Sequence, residues 1–142
     1  MIENNRKRYV LDTTAIFSYI EEEAGSDTVE DLLIRATKGE IDIYIAFITL
    51  TEIFYISLQE QGEKEARQRI ELVRSLSVKI EESCDELNMT AGRLKAHQRI
   101  SLADSYIAAL SQLRDAILVH KDPEFEHVAP AIKEQRLPYK NA

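Results

Sequence analysis

Four short apolar runs, separated by longer segments of helical periodicity, constrain the fold of this chain most strongly. Each run is rich in valine, isoleucine, leucine or tyrosine, as buried strands are. The runs span residues 8–11, 41–47, 78–80 and 116–119. Because a helical segment separates every two strands, the pattern predicts an α/β domain with a mostly parallel central sheet covered on both faces. The final LPYK is a candidate edge strand.

The segments between the strands carry apolar residues three and four positions apart. Val29, Leu33 and their neighbours recur in this way before Gly39, and a second such segment ends at Gly62. Glycine is the commonest residue just after a helix, so both are predicted helix stops. Further helices are predicted over 66–76, 87–94 and 102–113.

Composition limits the class of protein. The 142 residues, 44% of them hydrophobic, suffice for one packed domain spanning 1–142. A net charge of −7 argues against a broadly basic nucleic-acid binder, although it leaves a local basic groove open. One cysteine and three scattered histidines offer neither an internal disulfide nor zinc-ligand spacing. With no apolar run of membrane-spanning length and no apolar stretch in MIENNRKRYV, we expect a cytoplasmic protein without membrane association.

Two predicted strands end close to an aspartate. Asp12 follows the first strand in YVLDTTAIF, and Asp122 follows the fourth in AILVHKDPEF. In an open parallel sheet, ligands bind beyond the carboxyl ends of the strands. Each aspartate also has an ordinary interpretation, since Asp12 could cap a helix beginning at Thr13 and Asp122 could form a turn before Pro123.

Glu52 is the only charged residue between positions 43 and 59, so its surroundings should be largely buried. A buried carboxylate must be paired, bind a metal or take up a proton. The alternative is a capping box, in which Thr49 caps a helix and Glu52 reaches back to it. The segment alone leaves both interpretations open.

Asp104 lies in RISLADSYIAAL, three residues after Ser101, and this spacing again resembles a capping box. On a helix of about 3.6 residues per turn, its neighbours on the same side are the small residues Ser101, Ala108 and Ser111. Small neighbours leave space for a ligand beside the carboxylate.

The four carboxylates Asp12, Glu52, Asp104 and Asp122 therefore occupy strand ends or helix first turns, which meet at one edge of such a sheet. Like charges in a cluster repel unless a cation compensates them. Oxygen ligands without cysteine or histidine favour Mg²⁺ or Mn²⁺. Such ions activate water and polarise phosphoryl oxygens, so the pattern indicates phosphodiester hydrolysis.

The same stretches resemble the PIN domain family, and specifically the ribonuclease toxins of VapC-type toxin–antitoxin pairs. The matching motifs are VLDTTAIF, TEIFY, RISLADSYIAAL and ILVHKDPEF, in the family's order and across nearly the whole chain. The resemblance implies a three-layer α/β/α domain and a metal-dependent endoribonuclease. It further implies a homodimer and a small cognate antitoxin that covers the acidic pocket.

By the same resemblance, Asp12, Glu52, Asp104 and Asp122 are catalytic, and Asp12, Asp104 and Asp122 among them bind the metal. Thr13, and with it Thr14, would supply hydroxyls beside these ligands. The chain departs from the family at His120, where members often have threonine or serine. His120 is interpreted either as a hydrogen-bonding partner of a metal-bound water or phosphate, or as a partly exposed residue leaving the strand.

Basic residues before the Asp104 helix are the candidate contacts to the RNA backbone. Arg93, Lys95 and Arg99 form this group. Glu124 and Glu126 could also approach the site, although a solvated turn is the ordinary interpretation of both. Many such basic residues simply occupy solvated helix faces. Nothing in the sequence identifies the RNA.

Two other functions remain open at this stage. A degenerate PIN-like domain could bind protein or RNA without cleaving it, and the position of His120 favours that alternative. A phosphatase with an aspartyl nucleophile fits poorly, because LDTTA has no second aspartate two positions after Asp12.

Overall fold

The computed structural model describes residues 5–140, which form a layered arrangement of five strands and six α-helices. The strands are β1 (Lys7–Leu11), β2 (Ile41–Ala46), β3 (Lys79–Glu81), β4 (Ile117–His120) and β5 (Lys133–Arg136). The helices are α1 (Thr13–Ile20), α2 (Ser26–Thr37), α3 (Phe47–Gln61), α4 (Glu63–Ser75), α5 (Asp85–His97) and α6 (Leu102–Leu113), with a 3₁₀ segment at Pro123–Ala131.

The described strands form one sheet in the order β3-β2-β1-β4-β5. Every neighbouring pair is parallel: Tyr9 lies opposite both Ile43 on β2 and Ile117 on β4. The two edge pairs, β2 with β3 and β4 with β5, follow the same direction. The predicted α/β class is therefore confirmed, and the predicted mostly parallel sheet is parallel throughout the described residues.

Alternate residues of the central strands point into two separate cores. Val10 and Leu118 pack with α5, α6 and the 3₁₀ segment on one face of the sheet. Leu11 and Val119 pack with α1, α2 and residues of α3 and α4 on the other face. Because successive side chains of a strand point to opposite faces of the sheet, neighbouring residues pack into opposite cores, and the molecule has three α/β/α layers.

The four predicted strands appear within one residue of their expected bounds, and the helices predicted over 66–76, 87–94 and 102–113 appear within three. Phe47 begins α3 instead of ending β2. The edge strand is Lys133–Arg136, not LPYK, so that prediction was wrong. Lys133 and Arg136 are exposed and the strand carries no alternating apolar residues, which is why the sequence gives little indication of it.

Two glycines end helices as predicted. Gly39 follows α2 with φ 77°, and Gly62 follows α3 with φ 90°. This left-handed backbone is costly for residues with a Cβ atom, so glycine fits both positions. Within residues 5–140, none of the helices has the length and apolar character needed to cross a membrane.

Candidate metal centre

The site lies where the chain reverses its direction of progress across the sheet. After β1 the chain crosses to β2 on one side, and after β4 it crosses to β5 on the other. Such a reversal leaves a crevice beyond the carboxyl ends of the two strands, where ligands bind in open α/β sheets. Asp12 directly follows β1, and its backbone N–H donates to the Val119 carbonyl of β4 at 3.1 Å. Asp122 follows β4 two residues after its end.

Asp12 takes the capping role that was its ordinary interpretation, and its carboxylate lies at the crevice. It is the N-cap of α1, and its carboxylate accepts a hydrogen bond from the Ala15 N–H at 2.8 Å. The Thr14 hydroxyl donates to the same carboxylate at 2.8 Å. Burial, which leaves only 1% of Asp12 exposed, raises its pKa to about 7 despite these bonds, and the charge of Asp122 adds to the increase.

Asp104 enters the site from the first turn of α6. Its backbone N–H donates to the hydroxyl of Ser101, the N-cap residue, at 3.2 Å. Because the cap uses the backbone N–H of Asp104, the side-chain carboxylate of Asp104 takes no part in it. Burial and the neighbouring Asp122 and Asp12 carboxylates raise the pKa of Asp104 to about 9. The ionised form of this side chain is thus strongly disfavoured by its surroundings.

Asp122 and Glu124 complete a close group of carboxylates. Oxygens of Asp104, Asp122 and Glu124 all lie within 4.8 Å of one another. Asp122 also accepts the Glu124 N–H at 2.9 Å, which is the predicted turn contact. The Glu124 carboxylate accepts the backbone N–H of Ser101, so it bridges this turn to the start of α6. Glu124 therefore approaches the site, as one of its two interpretations had it.

Glu52 approaches from the second turn of α3. The helix begins at Phe47 with Ala46 at the N-cap, so Thr49 is not the cap and the capping-box interpretation was wrong. Instead, the Glu52 carboxylate accepts the Thr13 hydroxyl at 2.6 Å. Burial is the largest cause that raises the pKa of Glu52; Asp122 and Glu124 raise it further, while the Thr13 bond lowers it.

Five carboxylates therefore meet at one end of the sheet. Within residues 5–140, no lysine, arginine or histidine forms an ion pair with any of the five. The members are Asp12, Glu52, Asp104, Asp122 and Glu124. Mutual repulsion of this kind favours protonation or a bound hard cation. The oxygen-only donor set fits a divalent ion.

A comparison with protein families identifies the fold. The family model described as PIN domain matches residues 9–130. This chain belongs to the PIN domain family. Among curated proteins, no sequence matches it significantly.

Solved structures resemble this PIN domain across nearly their whole length. A chain of the VapBC2 complex of Rickettsia felis, bound to a DNA fragment from its promoter, superposes with a TM-score of 0.75 and 19% identity, covering 92% of this chain and 98% of that one. DNA-bound VapBC of Salmonella typhimurium gives a TM-score of 0.73, 19% identity and coverage of 92% and 98%. The VapC20 toxin of Mycobacterium tuberculosis, described as cleaving the sarcin–ricin loop, gives 0.69, 15% identity and coverage of 92% and 99%. At these identities the likeness concerns the fold.

His120 of the PIN domain lies in the core, not partly exposed at the strand end as one interpretation had it. None of its surface is exposed, and its ring packs 4.9 Å from that of Phe125. Its Nδ1 accepts the Asp122 backbone N–H at 3.1 Å, and its Nε2 lies 3.3 Å from the Glu134 carboxylate on β5. Both ring nitrogens are thus engaged by protein groups, and the contact of His120 with the site is its bond to the Asp122 backbone.

The basic residues predicted to contact RNA are not joined to the carboxylates by any described contact. Arg93 and Lys95 are exposed on α5, and Arg99 is exposed in the loop before α6. This loop includes Ser101, whose backbone N–H bonds to Glu124. The loop therefore borders the carboxylate group, while the role of the three side chains stays a prediction.

Proposed function

We propose that this chain is a metal-dependent endoribonuclease that hydrolyses RNA phosphodiester bonds, and that it is the toxin of a type II toxin–antitoxin pair. The observation that carries the proposal is the group of five carboxylates at the β1/β4 crevice, to which no basic side chain of the described residues is paired. A similarly folded protein, VapC20, is described as a sarcin–ricin loop cleaving toxin, which supports the choice of substrate class.

In this proposal, Asp104, Asp122 and Glu124 hold the divalent ion, since their oxygens already converge. Asp12 lies beside them, fixed by Thr14 and by its capping bond to Ala15. When bound, Mg²⁺ or Mn²⁺ lowers the pKa of a water molecule and offsets the negative charge of the phosphate. Either ion satisfies the oxygen donors present.

Glu52 is proposed to accept the proton of the attacking water. Thr13 donates to one carboxylate oxygen at 2.6 Å and so favours the ionised form that a proton acceptor needs. The water oxygen then bonds to phosphorus, one ester P–O bond breaks, and the departing oxygen takes a proton from solvent. General-base contributions of this kind are typically about 10²- to 10⁴-fold.

Cleavage of a labelled single-stranded RNA tests the activity. Asp104→Asn, Asp122→Asn and Glu124→Gln should reduce Mg²⁺- or Mn²⁺-dependent cleavage to background while the circular dichroism spectrum is unchanged. Asp31→Asn, an exposed substitution on α2, is the matched control. Full activity in the three site variants would refute the mechanism.

The alternative of a degenerate, non-cleaving PIN domain rested on His120. Because His120 is buried and bonds to the Asp122 backbone, it does not occupy the space between the carboxylates in place of a ligand. Binding of RNA by the wild type in the presence of Mn²⁺, without any cleavage, would favour that alternative.

The partners are proposed on the same basis. Similar folds include chains of VapBC complexes, so we propose a small antitoxin that covers the carboxylates and a homodimeric toxin. Addition of the protein encoded beside this gene should abolish cleavage, and light scattering of the isolated chain should give twice the mass of 16.3 kDa.

A further inference from the structure

A cavity of about 300 Å³ shares a wall with the carboxylate group. Thr14, Lys121 and Pro123 line it, and each is within two residues of Asp12 or Asp122 along the chain. The Thr14 hydroxyl donates to Asp12 and accepts the Lys121 backbone N–H at 3.0 Å. The Thr14 side chain therefore separates the cavity from the Asp12 carboxylate and contacts both.

The walls of the cavity are mainly apolar and include two aromatic rings. Phe17 and Ile56 line it from α1 and α3, and Tyr139 lines it from the segment after β5. The Tyr139 hydroxyl donates to Glu126 at 3.0 Å, which fixes the ring orientation. Unpaired nucleobases stack on aromatic side chains, and stacking alone accepts every base.

The charges around the cavity do not suit a phosphate. Lys121 is almost completely buried, and its ammonium donates to the Ala24 carbonyl at 2.8 Å. Lys140 forms an ion pair with Glu23 at 2.9 Å, and Glu21 pairs with Arg69 at 3.4 Å. Since both lysines are already engaged and the lining carries three glutamates, the cavity favours a neutral group with hydrogen-bond donors.

Glu60 supplies the acceptor for such a group. It lines the cavity from the end of α3, near enough to Lys140 for the two charges to interact, and within residues 5–140 its carboxylate accepts no hydrogen bond. An ionised carboxylate only accepts hydrogen bonds, and it binds best to two adjacent donors. Guanine presents such a pair, its ring N1–H and its exocyclic amino group, whereas adenine, cytosine and uracil each present fewer adjacent donors on that edge.

We propose that this cavity binds a guanine base of the RNA, next to the phosphate held at the carboxylates, with Phe17 and Tyr139 contacting the ring and Glu60 accepting from N1–H and the amino group. The proposal rests on the proposed ribonuclease function. It assigns the chain a preference for guanosine beside the cleaved bond.

Cleavage of matched oligonucleotides tests the base preference. The wild type should cleave next to guanosine with a kcat/KM about tenfold above that for the same RNA carrying inosine, which lacks the amino group. Glu60→Gln should lose this difference and cleave both RNAs at similar rates, while Glu71→Gln, an exposed substitution on α4, should keep it. A wild type without preference, or an unchanged preference in Glu60→Gln, overturns the proposal.

Binding without catalysis separates this proposal from the nuclease activity. Guanosine added to the wild type in EDTA should shift the amide resonances of Phe17 and Ile56 more than adenosine or uridine does, and Glu60→Gln should remove that difference. This result stands even where no RNA is cleaved. If guanosine shifts neither resonance, the cavity is not a base site.

Discussion

The hydroxyl of Thr13 donates to the carboxylate of Glu52 at 2.6 Å and joins two residues 39 positions apart. Thr13 begins α1 directly after Asp12, and Glu52 lies on α3. This contact therefore connects the carboxylate that follows β1 with the one proposed to take the proton of water. Because Thr13 is almost completely buried, no solvent molecule replaces its hydroxyl easily.

Thr13→Val should shift the pH dependence of cleavage. Valine keeps the shape of threonine but removes the donor that lowers the pKa of Glu52, so that pKa rises. The acid limb of the kcat/KM profile should then move to higher pH, and the lost bond should cost about 1–2 kcal/mol of unfolding free energy. Thr51→Val, exposed on the same helix as Glu52, is the control. An acid limb at the wild-type position would contradict the role given to Thr13.

The metal-free protein should become less stable as the pH rises. The pKa of Asp104 is about 9 and that of Asp12 about 7 in the folded chain, against about 4 for an aspartate in an unfolded chain. The folded state then binds more protons than the unfolded state between these values, so the unfolding free energy falls as the pH increases. Thermal unfolding in EDTA from pH 5 to pH 9 should show a falling Tm.

Asp104→Asn removes the larger of these two contributions. Its Tm should fall less steeply above pH 7 than that of the wild type. Asp115→Asn, on an exposed turn where the residue has φ 50°, should leave the slope above pH 7 unchanged. Equal slopes for wild type and Asp104→Asn would show that the ionised Asp104 is not destabilising.

Mn²⁺ should stabilise the protein, and more so at high pH. Protons compete with the ion for the carboxylates, so the increase in Tm should be larger at pH 8 than at pH 6. At a metal concentration about 100 times Kd, the gain in unfolding free energy is about 2.7 kcal/mol. Glu124→Gln should reduce this gain, whereas Glu30→Gln on the exposed side of α2 should preserve it. Stabilisation independent of Glu124 would place the ion elsewhere.

Replacing the basic residues tests their contact with RNA. Arg93, Lys95 and Arg99 are exposed, and each phosphate contact to a single strand contributes about 0.7 to the slope of log K against log salt concentration. The triple glutamine variant should bind RNA more weakly and with a shallower salt dependence. Gel-shift titrations at several salt concentrations measure the slope. A slope equal to that of the wild type would show that these residues do not contact the RNA.

The sequence indicated the strands and the aspartates that follow them because both depend on local patterns. A valine- and isoleucine-rich run that ends in an aspartate can be read without tertiary information, and Asp12 and Asp122 lie at the β1/β4 crevice. Glu124 lies in a turn with no periodic signal. Its position depends on the Asp122 side chain and on Ser101, which is 23 residues away in the chain.

The burial of His120 was equally inaccessible to a sequence argument. It depends on β5, an edge strand whose residues KEQR lack the apolar alternation of a buried strand. Only after β5 pairs with β4 does Glu134 lie opposite Leu118 and come within reach of the imidazole. His120, interpreted from the sequence as a partly exposed residue at the end of the strand, is therefore enclosed by β5, which was predicted in the wrong place.

His120→Asn and His120→Leu should separate the two hydrogen bonds of this imidazole. Asparagine places an oxygen where Nδ1 lies and so keeps an acceptor for the Asp122 N–H, whereas leucine leaves that N–H without a partner. Because His120 is fully buried, the leucine variant should lose about 2–4 kcal/mol of unfolding free energy, and the asparagine variant should lose less. Cleavage should follow the same order, since the loosened turn carries Asp122 and Glu124. Urea unfolding and RNA cleavage measure the two effects, and the exposed substitution His127→Leu is the control. Equal stability and equal cleavage in the two His120 variants would mean that the bond to Asp122 does not position the turn.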